Sequence, residues 1–236
     1  MGPDATSRQW RSLCVATGAA GIGSLVLVAV SQALSSASEG EPPFDAPAAK
    51  ILSFFEAQHK TLVAAGSFLG VLAVLAIAWF LAGVWAVLRQ AEGDPAFRST
   101  AALASAVAFV ALIMAPGWEL ASFRVGDGVD PQIARLAFDI GNLGFANSWL
   151  ALGSFLLAAG WIFLTARSLP NWLGWLALVG ALGFLLGRAF WTTPIWLIPY
   201  TIYWGWTVAV SVLLLRGRLR SEQSPGRFDR LGQGME

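Results

Sequence analysis

The chain has few charged residues, and this scarcity limits the classes of protein to which it can belong. Only 12% of its 236 residues are Asp, Glu, Lys or Arg, whereas 56% are hydrophobic. A soluble domain carries about 25% charged residues, so this chain has too little polar material to cover a globule in water. Its long uncharged runs indicate an integral membrane protein instead.

Cysteine and histidine are nearly absent as well. The single cysteine, Cys14, excludes an internal disulfide, and the single histidine, His59, excludes a multi-histidine zinc or haem site within one chain. The formal net charge of +1 argues against nucleic acid as a partner. Phosphate-binding loops and hydrolase nucleophile motifs are also missing from the sequence. The sequence therefore predicts no catalytic set, no metal site and no cofactor.

Six apolar stretches, uncharged except for Glu119 in the third, predict an all-α bundle of six transmembrane helices, because about 20 apolar residues cross the hydrocarbon core. They cover Leu13–Leu34, Thr61–Leu88, Ala101–Phe123, Ile140–Ala166, Trp172–Gly187 and Ile195–Leu215. A cleaved signal peptide is the alternative for the first stretch, since two arginines precede it and small residues follow it. The length of its apolar run favours a membrane span.

The basic residues predict the orientation of the bundle. With the N-terminus inside, ten basic residues fall on inside segments (Arg8, Arg11, Arg89, Arg98, Arg167, Arg216, Arg218, Arg220, Arg227 and Arg230) and five on outside segments (Lys50, Lys60, Arg124, Arg135 and Arg188). Because Lys and Arg concentrate in cytoplasmic loops, both termini are expected to be cytoplasmic. Residues 1–12 are then an N-terminal cytoplasmic segment, 13–215 the transmembrane domain and 216–236 a basic tail, in the inner membrane of a bacterium.

Two signals predict structure outside the hydrocarbon core. In the outer loop 35–60, Ile51, Phe54 and Phe55 recur on one side of a helix that would lie at the membrane interface. Asp130-Pro131 is typical of a helix start, because aspartate caps the free N–H groups and proline suits the first turn. The fourth span is therefore expected to begin well before its uncharged run.

Unusual polar residues gather in the predicted outer halves of the helices. The predicted ligand-binding set is Glu119, Asp139, Asn142, Asn147, Arg188 and Tyr200. The proposed walls of this pocket are Trp118, Trp191, Trp196 and Trp204. Pro116 and Pro199 are expected to interrupt the third and sixth spans and free backbone carbonyls beside the pocket. In the alternative interpretation, the charged groups reach water or headgroups and the tryptophans form an interfacial belt.

Helical spacing sharpens one part of this set. Asp139, Asn142 and Arg135 share one helix face, since residues three and four apart are neighbours on a helix. We expect Asp139 to face the bundle and to pair with Arg188 of the fifth span or with Arg135 on its own helix.

Two segments resemble a known group of proteins. They are the run from Asp130 to Phe145, DPQIARLAFDIGNLGF, and LPNWLGW from Leu169 to Trp175. Together they resemble a large group of uncharacterised bacterial six-helix membrane proteins, usually described as domains of unknown function. The resemblance implies six helices and a cytoplasmic-membrane location, and it implies no activity.

Three functions remain open. The first is the binding or transport of a small apolar or amphiphilic molecule from the outer leaflet. The second is a non-catalytic accessory or structural subunit that packs against another membrane protein. The third, a lipid-modifying enzyme using Asp139 or Glu119 as acid or base, is the weakest, because no nucleophile or metal accompanies the carboxylate. In every case the lipid bilayer is the main partner.

Overall fold

The computed structural model describes residues 3–35, 40–115, 117–124, 128–166 and 169–219. All regular secondary structure in these ranges is helical. The helices are α1 (Pro3–Ser35), α2 (Ala48–Ala57), α3 (Lys60–Glu92), α4 (Phe97–Ile113), α5 (Gly117–Arg124), α6 (Pro131–Thr165), α7 (Asn171–Ala189) and α8 (Leu197–Leu215), with a short 3₁₀ turn at Pro194–Trp196. The predicted all-α class is confirmed for the described residues.

Five of the described helices are long and apolar enough to cross a membrane: α1, α3, α6, α7 and the segment that comprises the 3₁₀ turn and α8. Helix α4 is apolar but shorter, at 17 residues. Helix α1 begins at Pro3 instead of Leu13, so most of the predicted N-terminal cytoplasmic segment continues the helix. Hydropathy marks only the apolar part of a helix, and polar residues such as Ser7 extend it at no great cost. Most of the predicted basic tail lies outside the described residues.

The third predicted span is divided. Helix α4 ends at Ile113 and α5 begins at Gly117; Pro116, expected to cause the break, lies outside the described residues. Pro116 was expected to free the carbonyl four residues earlier, that of Leu112, because proline has no N–H. The Ala115 N–H donates to this carbonyl at 3.3 Å, so it has a donor. A tightened last turn therefore satisfies the backbone at this break.

Pro199 does not interrupt the sixth predicted span, contrary to expectation. It lies in the first turn of α8, directly after the 3₁₀ turn, and a proline is tolerated there because that N–H has no intrahelical acceptor. Its ring packs against α7 at Gly183, where an added Cβ would lie 3.0 Å from the Pro199 Cβ. The proline sets the helix start and helps α7 and α8 to approach closely.

The start of α6 is as predicted. Pro131 is its first residue, and the Asp130 carboxylate accepts a hydrogen bond from the Gln132 N–H at 2.8 Å. Side-chain capping of this kind stabilises a helix by about 1 kcal/mol. It allows α6 to begin well before its uncharged run, so this helix carries polar residues beyond the apolar part of the bundle.

Six of the described helices form a ring. In order round the ring they are α1, α3, α4, α6, α7 and α8, and α8 returns to α1. Trp206 of α8 fills the interior: it is fully buried, donates its indole N–H to the Leu173 carbonyl at 3.2 Å, and meets Phe80, Phe155 and Phe163 with ring centroids 6.1–6.3 Å apart. These are direct aromatic contacts, so this level of the bundle is packed with side chains.

A second apolar core lies at the end of the ring that carries α2 and α5, which we call the α2 end. The predicted apolar side of α2 is confirmed, because Ile51, Phe54 and Phe55 are all buried. They join residues of the preceding loop, of α5 and of the start of α6: Ala46, Ala121, Ala134, Ala137 and Phe138. Helices α2 and α5 thus cover the first turns of α6.

Candidate functional site

The six predicted ligand-binding residues all lie toward the α2 end, but they separate into local groups. Glu119 is on α5, Arg188 is in the last turn of α7, and Tyr200 is in the first turns of α8. Asp139, Asn142 and Asn147 are on the first half of α6. The side chain of Trp118, a proposed wall of the pocket, lies outside the described residues.

Arg188 pairs with Asn147. Its Nε donates to the Asn147 Oδ1 at 3.0 Å across the contact between α6 and α7, and its guanidinium carbon lies 5.9 Å from the ring centroid of Trp191. An asparagine at membrane depth needs such a partner, because an unsatisfied amide in hydrocarbon is costly. Arg188 is one of the two partners expected for Asp139, but its described hydrogen bond is with Asn147.

Asp139 lies near Arg135, the second of its two expected partners. Arg135 approaches it with Nε 3.9 Å from Oδ2, at the limit of an ion pair, while the other oxygen, Oδ1, is buried without a hydrogen-bond partner among the described residues. The Asn142 amide donates to the Phe138 carbonyl on its own helix at 3.1 Å. One carboxylate oxygen of Asp139 therefore remains available to a donor.

Glu41 belongs beside this group, although the sequence did not indicate it. This residue of the loop before α2 remains exposed, yet neighbouring protein removes enough of its hydration to raise the pKa of the carboxyl group above its usual value. A hydrogen bond with Asn142 acts in the opposite direction. Phe44, three residues later, holds the loop in place by packing against Phe138 and Trp191, with centroids 6.4 and 4.4 Å away.

Glu119 faces α3. The hydroxyl of Ser67 donates to its Oε1. This contact joins the short α5 to α3, whereas the Asn147–Arg188 pair joins α6 to α7. Glu119 and Asp139 thus have different surroundings, and the described contacts do not bring them together as a two-carboxylate site.

Tyr200 lies in an aromatic cluster made by Phe145, Trp149, Trp196 and Tyr200. All six distances between their ring centroids fall between 5.4 and 6.3 Å. That is the range of direct ring contact, so side chains fill the space between these four rings. The Tyr200 hydroxyl and the Trp149 indole N–H are both buried in this cluster and make no hydrogen bond of ordinary geometry with the described residues, although Ser148 and Trp149 lie close to the hydroxyl.

An apolar groove lies between α5 and the start of α6. Its volume is about 160 Å³, and it is lined by Leu120, Ala121, Arg124, Val129, Ile133, Ala134 and Ala137. The three alanines are buried and form the floor, whereas Leu120 and Ile133 are more than half exposed and form the rim. The groove exists because small side chains of two helices face each other between larger ones. None of the six predicted residues lines it.

Gly117 allows α5 to approach α6 closely enough to form this groove. A Cβ added at Gly117 would overlap the carbonyl oxygen of Ala137 and lie 2.6 Å from the backbone nitrogen of Gly141. One turn further along α6, a Cβ added at Gly144 would lie 2.8 Å from the Ala115 Cβ. Backbone contact between small residues is how membrane helices commonly pack.

A charged network of described residues lies at the opposite end of the bundle, where the sequence predicted no site. Glu92, at the end of α3, accepts from the backbone N–H and the Nε of Arg98, each at 2.9 Å, and from the Ser99 N–H at 2.7 Å. Arg98 also donates to the Thr165 hydroxyl at 2.8 Å. Glu92 thus caps the start of α4 and joins three helices, which is a structural role. In the sequence, this pair is indicated only by two residues of opposite charge, Glu92 and Arg98, that lie six positions apart.

Comparison of the chain with protein-family models, with curated proteins and with solved structures finds no match. The resemblance of residues 130–145 and 169–175 to the six-helix group therefore stays a prediction.

Proposed function

We propose that the chain is a multi-pass membrane protein with six spans and both termini cytoplasmic. Five described helices have the necessary length and apolar character. Helix α4 supports the sixth span because it stands between α3 and α6 in the ring, and 17 residues extend about 26 Å, close to the thickness of the hydrocarbon core. The excess of basic residues on one set of segments supports the orientation.

Cysteine labelling tests this orientation. Ser38 and Gln223 would be suitable positions by sequence but lie outside the described residues, so we choose Gly40, which is exposed, and Asp94, whose side chain is 87% exposed. In a Cys14→Ser background, Gly40→Cys is expected to react with an impermeant maleimide on intact cells, and Asp94→Cys only after the membrane is opened. The reverse pattern would place the termini outside.

We infer that the protein binds a small amphiphilic molecule from the outer leaflet, and the observation that carries this inference is the apolar groove between α5 and α6. The surface of its walls is apolar. Its volume of about 160 Å³ is similar to that of a cavity that takes up a benzene-sized group. In the proposed orientation the groove lies at the outer interface. An alkyl chain from the outer leaflet can enter such a site without crossing water.

Photolabelling with a diazirine-bearing dodecanol tests this binding. We expect saturable labelling of the groove residues, reduced by excess unlabelled dodecanol. Leu182 of α7 is 58% exposed and outside the groove, so its labelling should follow general partitioning and show no saturation. Ala134→Leu should abolish the saturable component, because the larger side chain fills the floor.

Matched variants separate a filled groove from a damaged fold. Ala137→Leu fills the same floor from one turn further along α6, and Leu182→Phe enlarges a side chain elsewhere on the lipid-facing surface. The first should remove saturable labelling, and the second should leave it intact, with both proteins unfolding as cooperatively as the parent. Labelling of the groove that never saturates would refute the binding function.

The second candidate is an accessory subunit that packs against another membrane protein. The aromatic cluster around Tyr200 favours it, because side chains fill the space where the sequence predicted a pocket. Absence of saturable labelling, together with stoichiometric co-purification of one partner from native membranes, would support this function over ligand binding.

A further inference from the structure

Arg124 gives the apolar groove a basic rim. It is the last residue of α5, it is exposed, and it contributes to a lining that is otherwise made of Ala, Leu, Ile and Val side chains. The wall surface of the groove is apolar throughout, so Arg124 contributes its methylene stem. Arginine commonly lies in this way, with its stem along apolar surface and its guanidinium in the polar layer beyond.

We propose that the groove selects amphiphiles that carry a single anionic head, with the alkyl chain on the alanine floor and the head against the Arg124 guanidinium. This inference rests on the proposed binding function and specifies the class of ligand. Carboxylates and phosphates share the required chemistry, because both accept paired N–H donors from a guanidinium. With five N–H donors, Arg124 can bind a head and keep its contacts within the protein.

The neighbouring carboxylates within the described ranges, Glu119 and Asp130, do not oppose an anion strongly. Glu119 of α5 accepts a hydrogen bond from Ser67 on the side of α3, away from the groove lining. Asp130 caps α6 through the Gln132 N–H, where the partial positive charge of the helix N-terminus offsets its own charge. Arg124 is the residue with a formal charge among those that line the groove. The charges of the described residues around the groove therefore favour a negative head.

Competition against the diazirine-bearing dodecanol tests the proposal. The competitors share one chain length and differ in the head: dodecanoate, dodecyl phosphate, dodecanol and dodecyltrimethylammonium, added at pH 8.5 to the full chain in neutral detergent. We expect at least one of the two anions to compete about fivefold better than dodecanol, the ratio for a partly exposed ion pair. The preference should shrink in 0.5 M salt, which screens exposed charges. Whichever anion competes better identifies the source as a fatty acid or a phosphate lipid.

Two arginine variants provide the control. Arg124→Gln should abolish the preference for anions while dodecanol still competes. Arg135→Gln removes an arginine that lies on α6 beside Asp139 and does not line the groove, so it should leave the preference intact. Equal competition by all four compounds in the parent protein, or a preference that survives Arg124→Gln, would overturn the charge selectivity and leave the binding function standing. Failure of every compound to compete would remove the binding function itself.

Discussion

Replacing Glu92 by glutamine is expected to lower the free energy of unfolding by about 2–3 kcal/mol. Hydrogen bonds to a charged group contribute about 1.5–3 kcal/mol, more than neutral ones, and the Glu92 side chain is only 2% exposed. Glutamine can accept from Arg98 through its remaining oxygen, but its NH₂ group would face the Ser99 N–H, and two donors repel each other. The cap of α4 and the contact between α3 and α4 should both weaken.

Asp94→Asn is the matched control at the same end of the bundle. Asp94 also pairs with an arginine, with its Oδ1 2.7 Å from the Arg89 Nη2, but its side chain is 87% exposed and that of Arg89 40% exposed. An exposed ion pair contributes at most about 1 kcal/mol, so this variant should unfold nearly as the parent does. Both are measured by denaturant titration in mixed micelles. Equal losses in the two variants would show that burial of Glu92 adds nothing to its role.

Replacing Gly117 by alanine is expected to destabilise the protein by about 1–3 kcal/mol, the usual effect of overpacking a close contact. The new methyl group would meet backbone atoms at Ala137 and Gly141 of α6, and backbone cannot rotate away as a flexible side chain does. Helix α5 must then move outward, so saturable labelling of the groove should fall along with stability.

Gly205→Ala supplies the opposite case. Gly205 lies inside α8 and has open space around its missing Cβ, so alanine should stabilise the helix by up to about 1 kcal/mol through its better helix propensity. Opposite signs for the two glycine variants are expected when unfolding is followed in the same micelles. If Gly117→Ala also stabilised the protein, the close contact between α5 and α6 would not govern the position of α5.

Local signals predicted much of the helical pattern. Asp130-Pro131 marked the start of α6 because capping depends on a few neighbouring residues, and the spacing of Ile51, Phe54 and Phe55 marked the buried side of α2 for the same reason. Pro199 was misplaced because the same signal, a proline near an apolar run, fits either a break or a first turn. The turn at Pro194–Trp196, which decides between them, depends on packing against α7.

The sequence by itself determined the class of the protein. Its low charge, long apolar runs and local capping signals led to an all-helical chain with several helices long enough to span a membrane, because each of these properties belongs to one segment at a time. Only the tertiary structure decided which polar groups meet. Asn147 and Arg188 are 41 residues apart and pair because α6 and α7 align in depth and rotation. The groove arises in the same way, from alanines of two helices brought face to face by Gly117.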